Sequence, residues 1–492
     1  MSKNSHRPTR HSALVSFKSW FHSDAKPAPD GKADETHPSK PCSSLRKFGL
    51  PPRPKKFNRV KFALSLLRAG AEIEHSLAVQ YLYAAYSISE TSQVRANITS
   101  LTWKRDLRLV AREEMAHLVT VQNLLRALGA EPHLNRGPLH RDESKLPLPF
   151  KLERLNTVSL GKFVLFESPD CHQITKEGDK EEIEEIQESL GNKFHYLRVG
   201  LLYAAVYWLF MESDEPGPEW PFTAADIAVF KKKYPRKYHL KKEDFVSPKN
   251  YADKAATAKE WGIFESSTHV DGASPRETAL ASLRWIMSQG EGPNAIEASH
   301  FYRFLNMYRE LKKARAQSLI MNVPDNPRIK GFKGSGISGT EVGRLITNPK
   351  SKRWGALYNL RYQFMLLDIH DSLNQSHKTM AKKRRLLAGW AREEMEFVKK
   401  IGQMLPRMFL GRKATLRAGA PFQTVFLPET PAERDVLRKQ LLEASSECLS
   451  TLRNGMWKIS TYTKEAPVAA IESSLLDAIA RQDDEMRHAL EP

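Results

Sequence analysis

Cysteine is nearly absent from this chain of 492 residues: Cys42, Cys171 and Cys448 are the three it has. They lie too far apart for a zinc knuckle or a disulfide framework, so a reducing, cytoplasmic setting is the simpler expectation. No apolar run reaches the roughly eighteen residues that a membrane-spanning helix needs. Acidic residues are missing from the start, MSKNSHRPTRHSALVSFKSWFH, which gives it some transit-peptide character beside the plainer reading as a solvated tail.

What is present is the composition of a globular protein, 41% apolar and 27% charged. The length suits two packed regions with extensions. The net charge of +19 is unevenly placed. Residues 1 to 61 hold 14 Lys or Arg against 4 Asp or Glu, so +10 of the excess belongs to one segment. Nucleic-acid binding would rest on charge alone and is disfavoured. The run Lys231 to Lys242, KKKYPRKYHLKK, reads as a solvated face. GSGISG, with Gly334, Gly336 and Gly339, is preceded by no strand and carries little weight as a dinucleotide motif.

The hydrophobic period is helical throughout, so the expected class is mainly α. Residues 1–57 are expected as a disordered basic tail, 58–323 as a four-helix bundle with long loops, 324–355 as a Pro/Gly-rich linker or lid, and 356–492 as a second helical domain. Helices are expected over about 59–89, 103–128, 181–211, 276–287 and 296–315 in the first region. In the second they are expected over 357–374, 379–408, 432–451 and 467–490. Gly129 reads as a helix C-terminal signal, and the Pro-rich stretch that follows it as a long connection.

The chemistry concentrates in AEIEHSLAVQYLYAAYSI and LVAREEMAHLVTVQNLLRALG. Glu74 stands in an otherwise apolar helix, where an unpaired carboxylate is costly to bury. Glu114 and His117 are three apart and share a helical face. Glu297 and His300 repeat that spacing on a later helix. One Glu from each of two helices and a Glu-x-x-His from each of two others is the ligand set of carboxylate-bridged di-iron bundles. Hard carboxylate oxygens bridge the ions and imidazoles complete their coordination. Tyr81, a heptad from Glu74, either hydrogen-bonds a ligand carboxylate or packs as an aromatic. The third helix offers Leu201 and Leu202 where a carboxylate is wanted, and Glu291 in the QGEG turn is the best loop substitute. Ala111-Arg-Glu-Glu-Met115 recurs as Ala391-Arg-Glu-Glu-Met395, with Phe397 in the place of His117.

EIEHSLAVQYLYAAYSI, REEMAHLVTVQNLLRALGAEPHLNR, LPFKLERLNTVSLGKFVLFESPD, QGEGPNAIEASHFYRF and NVPDNP resemble, in order, the ferritin-like domain of the iminophenyl-pyruvate dimer synthase family. The resemblance covers about Arg59 to Pro327, and AGAPF further on resembles a downstream stretch of the same proteins. It implies a ferritin-like fold and oxidative coupling of two imines derived from an aromatic amino acid. Glu74, Glu114, His117, Glu291 and His300 match its acidic and histidine positions. Where the family reads Gly-Glu-aromatic-Tyr, this chain has Gly200-Leu201-Leu202-Tyr203, so the ion could be single or paired. The expected function is a metal-dependent oxidoreductase of a small aromatic amine or imine, holding iron, with manganese as the alternative metal. A ferritin-like scaffold that has lost catalysis and binds a partner is the competing reading. The expected partner is a small-molecule substrate, with self-association left open.

Overall fold

The computed structural model describes residues 49–89, 97–136, 151–169, 174, 176–190, 199–215, 217, 223–262, 274–289, 299–313, 319–331, 343–412, 415–424, 427–455 and 468–490. Residues 1–48 of the tail expected over 1–57, and the GSGISG motif, lie outside these residues. Among the described residues there are fourteen α-helices and no strand, with only isolated β-bridges. None of the helices is long and apolar enough to cross a membrane.

Two long helices come first. α1 spans Arg59–Tyr86 and α2 spans Asn97–Ala127. The Asn58 side chain caps α1 by accepting from the Lys61 amide. α2 ends as its sequence implies, with Gly129 at a positive φ of 74° that a Cβ would disfavour. The two pair along their length.

The remaining positions of the first bundle are each built from two shorter helices. α3 (Thr157–Phe166) and α5 (Val199–Phe210) are separated by α4 (Glu177–Ser189). α9 (Pro275–Gln289) is followed by α10 (His300–Lys313). α3 packs on α10, while α5 packs on α1 and α9. α3 was not foreseen in the connection after Gly129. It is ten residues long and apolar on almost every side, so no helical period shows; its start is fixed by an Asn156–Ser159 capping box. The stretch between Asp214 and Pro275, expected as loop, carries α6 (Ala224–Lys233), α7 (Pro248–Lys254) and α8 (Ala258–Trp261). Lys231, Lys232 and Lys233 close α6, where positive charge meets the negative end of the helix dipole.

The C-terminal helices are α11 (Pro349–Asn374), α12 (Ala381–Met404), α13 (Pro431–Asn454) and α14 (Val468–His488). One apolar core runs through both regions. His75 donates from Nδ1 to the Leu134 carbonyl at 3.0 Å and accepts at Nε2 from the Tyr362 hydroxyl of α11. Burial and the Arg136 charge push His75 down to about 3, which keeps the ring neutral for that pair of bonds.

Two expected boundaries shift. Leu50 is buried, the Tyr234 hydroxyl donates to the Pro51 carbonyl, and the Phe57 ring lies edge-on to Tyr238 at 4.3 Å, so packing begins before residue 58. In the segment expected as linker or lid, Ile329 and Ile346 are buried in the common core, and Asn348 caps α11 through the amides of Lys350 and Ser351.

α11 and α13 are joined by ion pairs. Arg434 Nε donates to Asp371 at 2.7 Å and Arg438 Nη2 donates to it at 3.0 Å. Against its burial, the His370 hydrogen bond and these two guanidiniums hold Asp371 down to about 2. A carboxyl depressed by folding contributes stability that is complete above its unfolded value and is lost as the pH falls through the folded one. Thermal denaturation should therefore show stability falling between about pH 4 and pH 2, by up to roughly 1.4 kcal/mol per pH unit from this group. Asp371→Asn should flatten that limb; an unchanged acid profile would exclude the account.

Candidate metal centre

Five ligand-bearing side chains converge in the first bundle. Glu74 comes from α1, Glu114 and His117 from α2, Glu167 from the residue after α3, and His300 from the first residue of α10. All five are buried. They form two groups, Glu74 with Glu114 and His117, and Glu114 with Glu167 and His300, the ligand atoms of each lying within 4.8 Å of one another.

Glu114 belongs to both groups through different oxygens. Its Oε2 is 3.3 Å from His117 Nδ1 and its Oε1 is 2.8 Å from His300 Nδ1. The outer carboxylates flank it, with Glu74 Oε2 at 3.5 Å from His117 Nδ1 and Glu167 Oε2 at 3.4 Å from His300 Nδ1.

Each outer group is fixed from behind. The Tyr203 hydroxyl of α5 donates to Glu74 Oε1, and the Tyr81 hydroxyl donates to Glu167 Oε1 at 2.5 Å. His117 Nε2 lies 3.2 Å from the Gln289 amide oxygen, and His300 Nε2 lies 2.9 Å from Glu113 Oε2. With the Nε2 protons held outward, both Nδ1 atoms face the carboxylates. That is how outer hydrogen bonds orient imidazoles toward a cation.

The electrostatics fit a cation at the centre. Burial, with the Glu114 charge beside it, pushes Glu74 up to about 8. Against burial, the Glu114 carboxylate and the Glu74 hydrogen bond raise His117 to about 10. His300 is held well above the usual histidine range by Glu113, Glu114 and Glu167, again against burial. Without an ion, protons balance these buried carboxylates. His300 Nδ1 nevertheless has no hydrogen bond of good geometry, although it is enclosed by two carboxylates. In the neutral ring with Nε2–H toward Glu113, Nδ1 would offer a lone pair between carboxylate oxygens, and an ion bound there would replace protons.

Glu74, Glu114, His117 and His300 thus come together. Tyr81 is a hydrogen-bond donor to a candidate ligand as well as a packed aromatic, with Phe163 at 4.7 Å. Glu291 and Glu297 lie outside the described residues. The carboxylate missing at Leu201 has its counterpart in Glu167, which the sequence reading passed over. The signal was available: Glu167 is a lone acid at the end of the apolar run TVSLGKFVLF, the same anomaly that marks Glu74. Leu201 is buried in the core, and α5 contributes Tyr203 instead.

Beside the centre is a cavity of about 30 Å³. Glu74, Glu114, His117 and Glu167 form its polar side, and Leu77, Phe166, Ile286 and Met287 form much of its apolar wall.

Comparison with known proteins agrees with this geometry. A family model described as ferritin-like matches residues 67–309. Dichlorochromopyrrolate synthase of Lentzea aerocolonigenes is 25% identical over 413 residues, 76% of this chain and 37% of that protein. The 2-imino-3-(indol-3-yl)propanoate dimerase of Chromobacterium violaceum is 24% identical over 324 residues, 61% of this chain and 27% of that protein. The chain thus spans well under half the length of either relative. No solved structure matches it significantly. Residues 67–309 are a ferritin-like domain, and the chain that carries it is a distant relative of these dimerase and synthase enzymes.

Proposed function

We propose that the chain is a metal-dependent oxidoreductase acting on a small aromatic imine or amine, with a pair of iron or manganese ions held by Glu74, Glu114, His117, Glu167 and His300. The observation that carries this reading is the division of Glu114 between the two groups, each of its oxygens facing a different histidine. Two carboxylates and an imidazole in each group suit hard divalent ions. Such ions would supply redox and Lewis-acid chemistry at the centre.

The chain's own residues then have defined tasks. Gln289 and Glu113 hold the imidazole N–H groups outward so that Nδ1 serves the centre. Tyr203 and Tyr81 fix the outer carboxylates, each leaving one oxygen inward. Leu77, Phe166, Ile286 and Met287 limit water beside the site. The cavity, at about 30 Å³, is near the size of one small molecule and far below that of an aromatic ring. It suits dioxygen as co-reactant better than the aromatic substrate. An aromatic imine or amine as substrate is supported by the relatives named for indole-imine dimerisation and chromopyrrolate synthesis.

Elemental analysis of the purified full-length chain should find about two equivalents of iron or manganese, and His117→Ala should remove at least half of them. Background metal in the unsubstituted protein would overturn the reading.

A further inference from the structure

The repeated Ala-Arg-Glu-Glu-Met lies on α2 at 111–115 and on α12 at 391–395. On α2 it places Glu114 against Glu74 of α1. On α12 it places Glu394 3.2 Å from Arg361 of α11. Matching Glu74 to Arg361 also matches His75 to Tyr362 and Tyr81 to Asp368, with no gap within either helix.

The packing obeys the same match. His75 and Tyr362 hydrogen-bond to each other, so equivalent positions meet where the two helical hairpins touch. Tyr86, at the end of α1, packs on Gly402 of α12. Reciprocally, Arg126 of α2 donates to the Leu373 carbonyl and to Asn374 at the end of α11. Each second helix thus seats the end of the other hairpin's first helix, as a local two-fold relation requires.

The C-terminal core is polar where the metal centre's counterpart would fall. Arg361 Nη1 also reaches Asp483 of α14 at 2.7 Å, and Ser445 of α13 donates to Asp483 at 2.6 Å. Gln482 donates to Glu394 at 2.7 Å, and Arg438 pairs with Asp368. Arg361 and Glu394 are fully buried. Among the described residues, Glu394 Oε2, Asp368 Oδ2, Gln482 Oε1 and two Arg361 nitrogens have no hydrogen-bond partner. A packed core rarely keeps so many polar atoms together. They are expected where a ligand set has been remodelled in place.

We propose that α11–α14 are a second version of the same bundle in which the Arg361 guanidinium occupies the position of a metal ion, with Phe397 in place of the histidine ligand. The cation is thereby built into the chain, and the second bundle needs no metal to balance Glu394 and Asp483. The comparison rests on reading Glu114 and His117 as ligands; the test reads the second bundle separately.

In the full-length chain, Arg361→Ala/Phe397→His should bind one more Mn²⁺ per chain than the unsubstituted protein in equilibrium dialysis, with a melting temperature that rises with Mn²⁺. A folded double variant with no additional Mn²⁺ would overturn the proposal. If that variant does not fold, Arg361→Met/Glu394→Gln/Asp483→Asn decides. It should fold with the helicity of the unsubstituted protein, because it removes the cation and both acids together; failure to fold would also overturn the proposal. The count is a difference, so it stands even if the unsubstituted chain binds no metal, the outcome that defeats the proposed function alone.

Discussion

Glu114→Ala should strip both ions from the centre, whereas Glu167→Ala should strip one. Glu114 is the member common to the two ligand groups, with one oxygen at each histidine. Its removal leaves each ion with one carboxylate and one imidazole among the described residues. Loss even of the partners that orient metal ligands costs about 10–100-fold in affinity, so loss of a shared ligand should cost about 100-fold or more at both positions. Glu167 serves only the group containing His300. Metal content measured alongside a spectrum that separates single from coupled iron gives the expected order: a pair in the unsubstituted protein, one ion in Glu167→Ala, none in Glu114→Ala. Equal losses in the two variants would mean that Glu114 does not bridge.

A large loss of stability is expected from a side chain at Gly402. This residue of α12 lies against the Tyr86 ring, and a Cβ there would come within 2.9 Å of ring atoms Cδ2 and Cζ, with Cε2 nearer still. Tyr86 is buried and stacked on Phe422, so the ring cannot easily give way. Gly402→Val should cost about 3 kcal/mol, the upper end of typical overpacking penalties. Replacing glycine in a helix interior would otherwise be neutral or favourable, which makes a large loss specific to the contact. The decisive measurement is a double-mutant cycle with Tyr86→Leu. The second change should recover much of the loss, since the two side chains compete for one space. Additive losses would place the strain elsewhere.

The first two helices and their candidate ligands were legible because a long helical period and acids within an apolar stretch leave local traces. Glu74, Glu114 and His117 needed only their own neighbours to be found. Glu167 is hard to find from the sequence because an unbroken third helix puts Leu201 at the carboxylate position and points to Glu291 as the loop substitute. In the fold that position is split, and the acid follows α3 rather than lying within α5. Spacing rules describe residues inside one helix and are silent across a break. The C-terminal helices were legible for the same reason as the first two. Their attachment was not, because contacts such as His75 with Tyr362 join residues 287 positions apart.

The interruptions between α3 and α5 and between α9 and α10 also arrange peptide dipoles around the centre. His300 is the first residue of α10, at the positive end of its helix, where an imidazolium is disfavoured and a neutral imidazole is not. Glu167 follows the last turn of α3, at the negative end, which attracts a cation. The first end therefore favours a neutral imidazole and the second a cation nearby. Chelation should accordingly raise amide hydrogen exchange first at these two termini, while the continuous turns of α1 and α2 around Glu74 and Glu114 remain protected.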